Sequence, residues 1–141
     1  MTHLSACGDS PAERPRTKTE RSPHALQAEM DSAKEYLRIG EVDKAEALGW
    51  AVYQQAKADP ALAKQRIHAL TLLGRVMQRR MLNDSALSLY REGLDLAEAT
   101  ADTAAMGTMW VNIGVALEDK ERYTEALEAQ LNALRWKELA G

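Results

Sequence analysis

The fold of this chain is decided by the stretch Trp110-Val-Asn-Ile-Gly-Val-Ala-Leu117, which is followed by Tyr123-Thr-Glu-Ala126 and by Ala133. Its small and large residues fall at the spacing that two packed antiparallel helices require. Gly114 would lie on one helix and Ala126 on the next, so both residues are small where two backbones approach closely. The stretch therefore predicts a helix-turn-helix unit.

The same pattern recurs twice upstream. When the chain is aligned with itself, Gly114 falls on Gly74, 40 residues earlier, and Gly74 falls on Ala33, 41 residues earlier. A period of this length predicts stacked helical repeats. We expect the repeats to span about 25–59, 60–101 and 102–141, with helices over 25–39, 42–58, 60–80, 84–99, 103–120 and 122–140. The expected N-terminal caps are Asp59, before Pro60, for the third helix, Asn83 and Asp84 for the fourth, and Asp102 or Thr103 for the fifth.

The three units resemble the tetratricopeptide repeat (TPR), whose pattern is Trp, Leu, Gly, Tyr, Gly, Tyr, Ala, Phe and Ala at positions 4, 7, 8, 11, 15, 17, 20, 24 and 27. In the third unit, Glu121 replaces the turn glycine and Gln130 the aromatic residue, which predicts a less tight turn and a thinner contact. In the second unit, Met81 stands at the turn position. The matching residues are Trp110, Ile113, Gly114, Leu117, Tyr123, Ala126 and Ala133 in the third unit, Leu70, Leu73, Gly74, Met77, Ala86, Tyr90 and Gly93 in the second, and Ala33, Tyr36, Gly40, Val42, Ala45 and Val52 in the first.

This resemblance implies an all-α fold, a right-handed α-solenoid of three TPR-like repeats. The composition also favours helices, because hydrophobic residues make up 45% of the chain but Phe is absent, so Leu, Ala and Met supply most of the apolar mass. The period of about 40 residues exceeds the common 34 and is similar to that of the longer TPR units in bacterial regulators and sensors.

Residues 1–24 differ from the rest and are predicted to be a disordered tail, since they hold three of the four prolines and little to bury. Within them, Leu4-Ser-Ala-Cys7 resembles the lipobox of bacterial lipoproteins, in which the cysteine is lipidated. Only three residues precede Leu4, too few for a signal peptide. Two interpretations stay open. Either Cys7 is a free thiol in a cytoplasmic protein, or the true start lies upstream and the protein is a membrane-anchored lipoprotein of the periplasm.

The residue pattern predicts no catalytic site, metal site or cofactor. The three histidines have no spacing that would place two imidazoles on one metal ion, and no glycine-rich phosphate loop is present. A net charge of -3 argues against nucleic acid as the main partner. No apolar run approaches the roughly 18 residues that a transmembrane helix needs.

The resemblance implies a ligand site on the concave face, which the first helix of each repeat forms. A strip of four cations beside apolar side chains predicts an extended or helical peptide ligand with acidic and apolar residues. The protein would then be a non-catalytic scaffold, such as the sensor or adaptor part of a larger bacterial regulator. The alternative is that these cations form only a solvated face. The groove residues are Met30, Lys34, Arg38, Thr71, Leu72, Arg75, Arg79, Val111, Asn112 and Val115, and His68 and Thr108 occupy equivalent positions.

The last predicted helix carries two apolar stripes, and a two-helix unit buries only one of them. One stripe is Leu127, Leu131 and Leu134, and the other runs along Ala126, Ala129, Ala133, Trp136 and Ala140. We expect the second stripe to remain uncovered, which predicts either a longer array or a homodimer through this helix. The alternative function is therefore a self-associating structural module, with Leu131, Ala133, Trp136 and Leu139 at the contact.

Overall fold

The computed structural model describes residues 21–141, and this part of the chain is all-helical, with no strand. The predicted fold class is confirmed at this level. A 3-10 turn, Pro60–Leu62, leads into the third helix, which begins three residues after its predicted start at residue 60. The other predicted helix limits agree with the observed ones to within two residues. The six helices are α1 (Pro23–Arg38), α2 (Val42–Lys57), α3 (Ala63–Arg79), α4 (Asn83–Ala99), α5 (Thr103–Asp119) and α6 (Tyr123–Ala140).

The helix α1 begins two residues before its predicted start at residue 25. The hydroxyl of Ser22 accepts a hydrogen bond from the backbone N–H of Ala25 at 3.1 Å, and Pro23 occupies the first turn. A serine cap followed by proline is a strong signal for the start of a helix. Residues 1–20, including Cys7, lie outside the described part of the chain, so the lipidation of Cys7 stays a prediction.

The 3-10 turn before α3 and the helix α5 both begin at acidic caps that the sequence predicts. The carboxylate of Asp59 accepts from the N–H of Ala61 at 2.9 Å, and that of Asp102 accepts from the N–H of Ala105 at 3.0 Å. A third expected cap, at Asn83 and Asp84, is wrong because α4 already begins at Asn83 and has no side-chain cap.

Four of the turns between helices share one backbone conformation. In each, the second residue after the last helical residue has a positive φ, a conformation that favours glycine, yet only one of the four residues is glycine. The N–H of the following residue then donates to a carbonyl of the last helical turn, at 2.8 Å in the first turn and 2.9 Å in the others. Replacing glycine therefore does not loosen the turn at Glu121. The four residues are Gly40 (87°), Met81 (61°), Ala101 (52°) and Glu121 (59°).

The helices pack mainly against their neighbours in the chain. Each one contacts the next, and α3 also contacts α1 on one side and α5 on the other. Buried residues form two clusters, one from α1 to α3 and one from α3 to α6, and Met77 packs against both. The helix α3 is therefore the element that joins the two halves of the core.

The contact between α3 and α4 depends on a missing side chain. A Cβ atom at Gly74 would overlap ring carbons of Tyr90, whose side chain is fully buried. At Gly114, by contrast, the nearest atom is Cγ of Gln130 at 3.2 Å, which belongs to a flexible, exposed side chain. Gly74 therefore fixes the distance between α3 and α4 more strictly than Gly114 fixes that between α5 and α6.

We expect Gly74→Ala to lower the free energy of unfolding by about 1–3 kcal/mol, because the buried ring of Tyr90 has no free space to move into. Gly114→Ala is the matched control. It adds the same methyl group within a helix, where alanine itself is favoured by about 0.5–1 kcal/mol, so its net effect should be small. Urea unfolding followed by circular dichroism measures both changes. Equal midpoints for the two variants would contradict this account of the α3–α4 contact.

Candidate ligand-binding groove

A cavity of about 370 Å³ lies on the face that α1, α3 and α5 share. Its walls come from the first helix of each predicted repeat, so it occupies the predicted groove. One residue, Lys34, comes from α1, and α3 supplies the largest group. The remaining lining residues are Lys64, Ile67, His68, Thr71, Leu72 and Arg75 from α3, and Asp102, Ala104, Ala105, Thr108 and Met109 at the start of α5.

The cavity has an apolar floor and a cationic rim. Ile67, Leu72 and Met109 are buried, whereas Lys34, Lys64 and Arg75 are exposed. The two threonine hydroxyls are already engaged, since Thr71 donates to the carbonyl of Ile67 at 2.8 Å and Thr108 to that of Ala104 at 3.1 Å. The charged groups available to a ligand are therefore mostly positive.

His68 is a partly buried titratable group in the wall of this cavity. Its Nδ1 atom is buried and has no hydrogen-bond partner among residues 21–141. Burial lowers the pKa of the imidazole, the positive charges of Lys34 and Lys64 lower it further, and Asp102 and Asp31 oppose the shift. His68 is therefore mainly neutral at pH 7.

The structure brings together some of the predicted groove residues and separates others. Lys34, Thr71, Leu72 and Arg75 line the cavity. Arg75 also adjoins Arg79 in a shallower depression of about 230 Å³, together with Gln78. The remaining exposed or partly buried predicted residues line neither depression, namely Arg38, Val111, Asn112 and Val115.

The assignment of Met30 to the ligand surface is wrong. Its side chain is fully buried in the core cluster of α1, α2 and α3. A helix packed against its neighbours exposes only part of its surface, and Met30 lies on the part of α1 that faces the core. It contributes to stability and cannot contact a peptide.

The predicted strip of four cations is partly neutralised. Lys34 pairs with Asp31 at 3.5 Å, and Arg38 pairs with Glu35 on the same helix at 2.6 Å. Arg75 and Arg79 form no salt bridge with any acidic side chain between residues 21 and 141. Of the four cations in the predicted strip, these two arginines are therefore the most available to an acidic partner.

Six lining residues were absent from the sequence prediction: Lys64, Ile67, Asp102, Ala104, Ala105 and Met109. Helical spacing could have identified Lys64, because it lies four residues before His68, on the same face of α3. The repeat positions that the resemblance implies begin at Ile67, so they do not include the preceding turn of α3, to which Lys64 belongs.

A separate polar cluster joins α2, α3 and α4. The Tyr53 hydroxyl and the Arg66 guanidinium both donate to Oε1 of Glu92, each at 2.6 Å, and the guanidinium lies 5.6 Å from the centre of the Tyr53 ring. Burial opposes the ionisation of Glu92, but the hydrogen bonds from Tyr53 and Arg66 outweigh it and hold the pKa of this carboxyl below its ordinary value. Satisfied by two donors, Glu92 stabilises the packing of three helices.

Other kinds of site were sought in the same region. Between residues 21 and 141, no three His, Cys, Asp or Glu side chains lie close enough together to hold a metal ion. No helix in this region is long and apolar enough to cross a membrane. No protein-family model matches the chain, and a search of curated proteins finds no match either.

We expect Glu92→Gln to lower the free energy of unfolding by about 1–2 kcal/mol at pH 7, because the hydrogen bonds from Tyr53 and Arg66 both lose their anionic acceptor. A carboxyl whose pKa is lowered by folding contributes stability above its unfolded pKa and loses it as the pH falls through the folded pKa. The difference from the parent should therefore shrink towards zero below about pH 4. Urea unfolding across this pH range tests the prediction, with Glu98→Gln, an exposed position on the same helix, as the control. A difference that persists unchanged at low pH would contradict it.

Proposed function

We propose that the chain is a TPR-type repeat protein in which the pairs α1–α2, α3–α4 and α5–α6 form a right-handed α-solenoid. The near-equal helix lengths support this, with 16 and 16, 17 and 17, and 17 and 18 residues in the three pairs. So does the recurrence of one turn conformation at Gly40, Met81 and Glu121, which share position 15 of the repeat. The contacts of α3 with both α1 and α5 are those expected of stacked first helices.

Within this proposal, the protein is a non-catalytic scaffold, and the face formed by α1, α3 and α5 binds a peptide or protein segment. The observation that carries this function is a cationic rim, supplied by α1 and α3, above an apolar floor supplied by α3 and α5. A partner with acidic side chains beside apolar ones complements such a surface in charge and in shape. A role as the sensor or adaptor part of a larger bacterial regulator follows from the resemblance to long-period TPR units.

A second candidate function, self-association through α6, is favoured by an exposed apolar stripe on that helix. Leu127, Leu131 and Leu134 are each more than half exposed, and Tyr123 at the start of the helix is more exposed still. These residues follow helical spacing, so they lie on one face. A stripe of this kind is characteristic of an interaction surface.

This stripe differs from the one that the sequence analysis expects to be uncovered. Ala126, Ala129 and Ala133 are buried, and Trp136 packs against the core beside Gly107. Small alanine side chains allow α6 to approach α5 closely, whereas leucines at those positions would hold the helices apart. Ala133 and Trp136 are therefore wrongly assigned to the association surface, and Leu131 and Leu139 remain exposed candidates.

The groove is tested by the charge-reversal variant Arg75→Glu/Arg79→Glu. Peptides selected by the parent protein from a random displayed library should be rich in Asp and Glu beside apolar residues. The variant should bind them at least about tenfold more weakly, because attraction becomes repulsion. Fluorescence anisotropy with the selected peptides measures the change.

The matched control is Arg91→Glu/Arg135→Glu, which makes the same change in net charge on α4 and α6, away from the cavity. Both pairs replace exposed residues, so the melting temperatures should stay close to that of the parent. Equal weakening by the two double variants would mean that binding follows net charge alone, and it would refute the groove assignment.

Self-association is tested by Leu131→Glu in sedimentation velocity at tens of micromolar protein. If the leucine stripe forms a dimer interface, the parent should sediment as a dimer and the variant as a monomer with unchanged helical content. Ile39→Glu, an equally exposed apolar position at the end of α1, is the control and should remain dimeric. A monomeric parent at this concentration would remove self-association as a function.

A further inference from the structure

The cavity between α1, α3 and α5 has the size and lining of a small-molecule site. Its volume of about 370 Å³ falls within the range of roughly 300–1,000 Å³ that ligand pockets occupy. Buried Ile67, Leu72 and Met109 offer an apolar floor, and Lys34 and Lys64 offer positive charge above it. An apolar group that carries one acid group complements both parts.

His68 gives this cavity a further property. Its imidazole lies in the wall with the two lysines, and its Nδ1 atom has no acceptor within residues 21–141. A protonated imidazole there would be a further cation beside Lys34, Lys64 and Arg75, with an unsatisfied N–H group, and a buried donor without an acceptor is costly. A bound acid group would provide the negative charge, and an acceptor, that the charged ring lacks.

We propose that the cavity binds a small organic anion, an apolar group bearing one acid group, and that His68 takes up a proton when this ligand binds. The site stands independently of peptide binding elsewhere on the groove. The anion can reach the cavity as a free small acid or as an acidic side chain beside an apolar one in a peptide, and both share the same chemistry.

The charges around His68 determine the direction of the pH dependence. Lys34 on α1 and Lys64 on α3 oppose its protonation, while Asp31 on α1 and Asp102 before α5 favour it. Without ligand, burial and then the two lysines lower the pKa of His68, and a bound anion would oppose this shift. Because the bound form then holds the proton more tightly, affinity must rise as the pH falls. A difference of one pKa unit between the two forms corresponds to a tenfold change in affinity.

Naphthalene-2-sulfonate is a suitable probe, because its acid group stays ionised across the range in which histidine titrates. The neutral naphthalene-2-sulfonamide has nearly the same size and is the matched control ligand. Isothermal titration calorimetry should show the sulfonate binding roughly tenfold more tightly at pH 5.5 than at pH 7.5. The sulfonamide should bind more weakly and without this dependence. The imidazole proton resonances should report a higher pKa for His68 in the complex than in the free protein.

Variants separate the roles of the residues. His68→Gln should abolish the pH dependence of sulfonate binding, because glutamine has similar polarity but does not titrate. Lys34→Gln/Lys64→Gln should weaken binding at both pH values. Lys44→Gln/Lys57→Gln removes the same charge from exposed positions on α2 and should leave binding unchanged. All three variants replace exposed or partly buried residues, so the fold should be retained.

Competition with the selected acidic peptides distinguishes the two sources of the anion. Displacement of the peptide by the sulfonate assigns the cavity to a peptide side chain, and simultaneous binding assigns it to a free small acid. Two results would overturn the proposal. One is equal affinity for the sulfonate and the sulfonamide, and the other is an unchanged pH dependence in His68→Gln.

Discussion

The close contact between Gly74 and the ring of Tyr90 is the constraint on which the rest of the structure depends. It sets the distance between α3 and α4, and α3 is the helix that joins both halves of the core. The Tyr90 hydroxyl also donates to Oε1 of Gln78, whose amide nitrogen donates to Asp119 of α5 at 3.1 Å. This chain of contacts links α4, α3 and α5. It fixes the rotation of α3 and thereby directs His68 and Arg75 to the groove.

Small side chains have a similar effect at the other end of the array, with a different consequence. The alanine face of α6 packs closely on α5, and this leaves the leucines of α6 exposed to solvent. In most amphipathic helices the largest apolar residues are the buried ones. Here close approach selects small residues for the interior, so the large ones become available to a partner.

Much of the fold could be predicted from the sequence, because it depends on local signals. Periodicity located all six helices, and the acids Asp59 and Asp102 marked two of their starts. The turns at Met81 and Glu121 were harder, since neither residue prefers a positive φ. The conformation there is imposed by the packed helices on either side, which no local pattern records.

The candidate site was less accessible, because it depends on how the helices are rotated and how far apart they lie. Position numbers within a repeat suggested that Met30 and Ala133 face outward, but both are buried. The cavity arises from the spacing of three helices, and the lowered pKa of His68 arises first from its burial and then from lysines on two of them. Charge and helical spacing were sufficient to locate Lys34, Thr71 and Arg75 on the groove. Charge and helical spacing could not show that these residues line one cavity.

The contacts between helices run mainly between elements that are next to each other, or next but one, in the chain. Such a topology has a low contact order, so little loop-closure entropy opposes folding, and helical proteins of this kind fold in microseconds to milliseconds. Among the described helices, α3 contacts α1, α2, α4 and α5, whereas α6 packs mainly against α5. Amide hydrogen exchange should therefore be slowest in α3 and fast in α6, so that the structure frays inward from α6 before it unfolds as a whole.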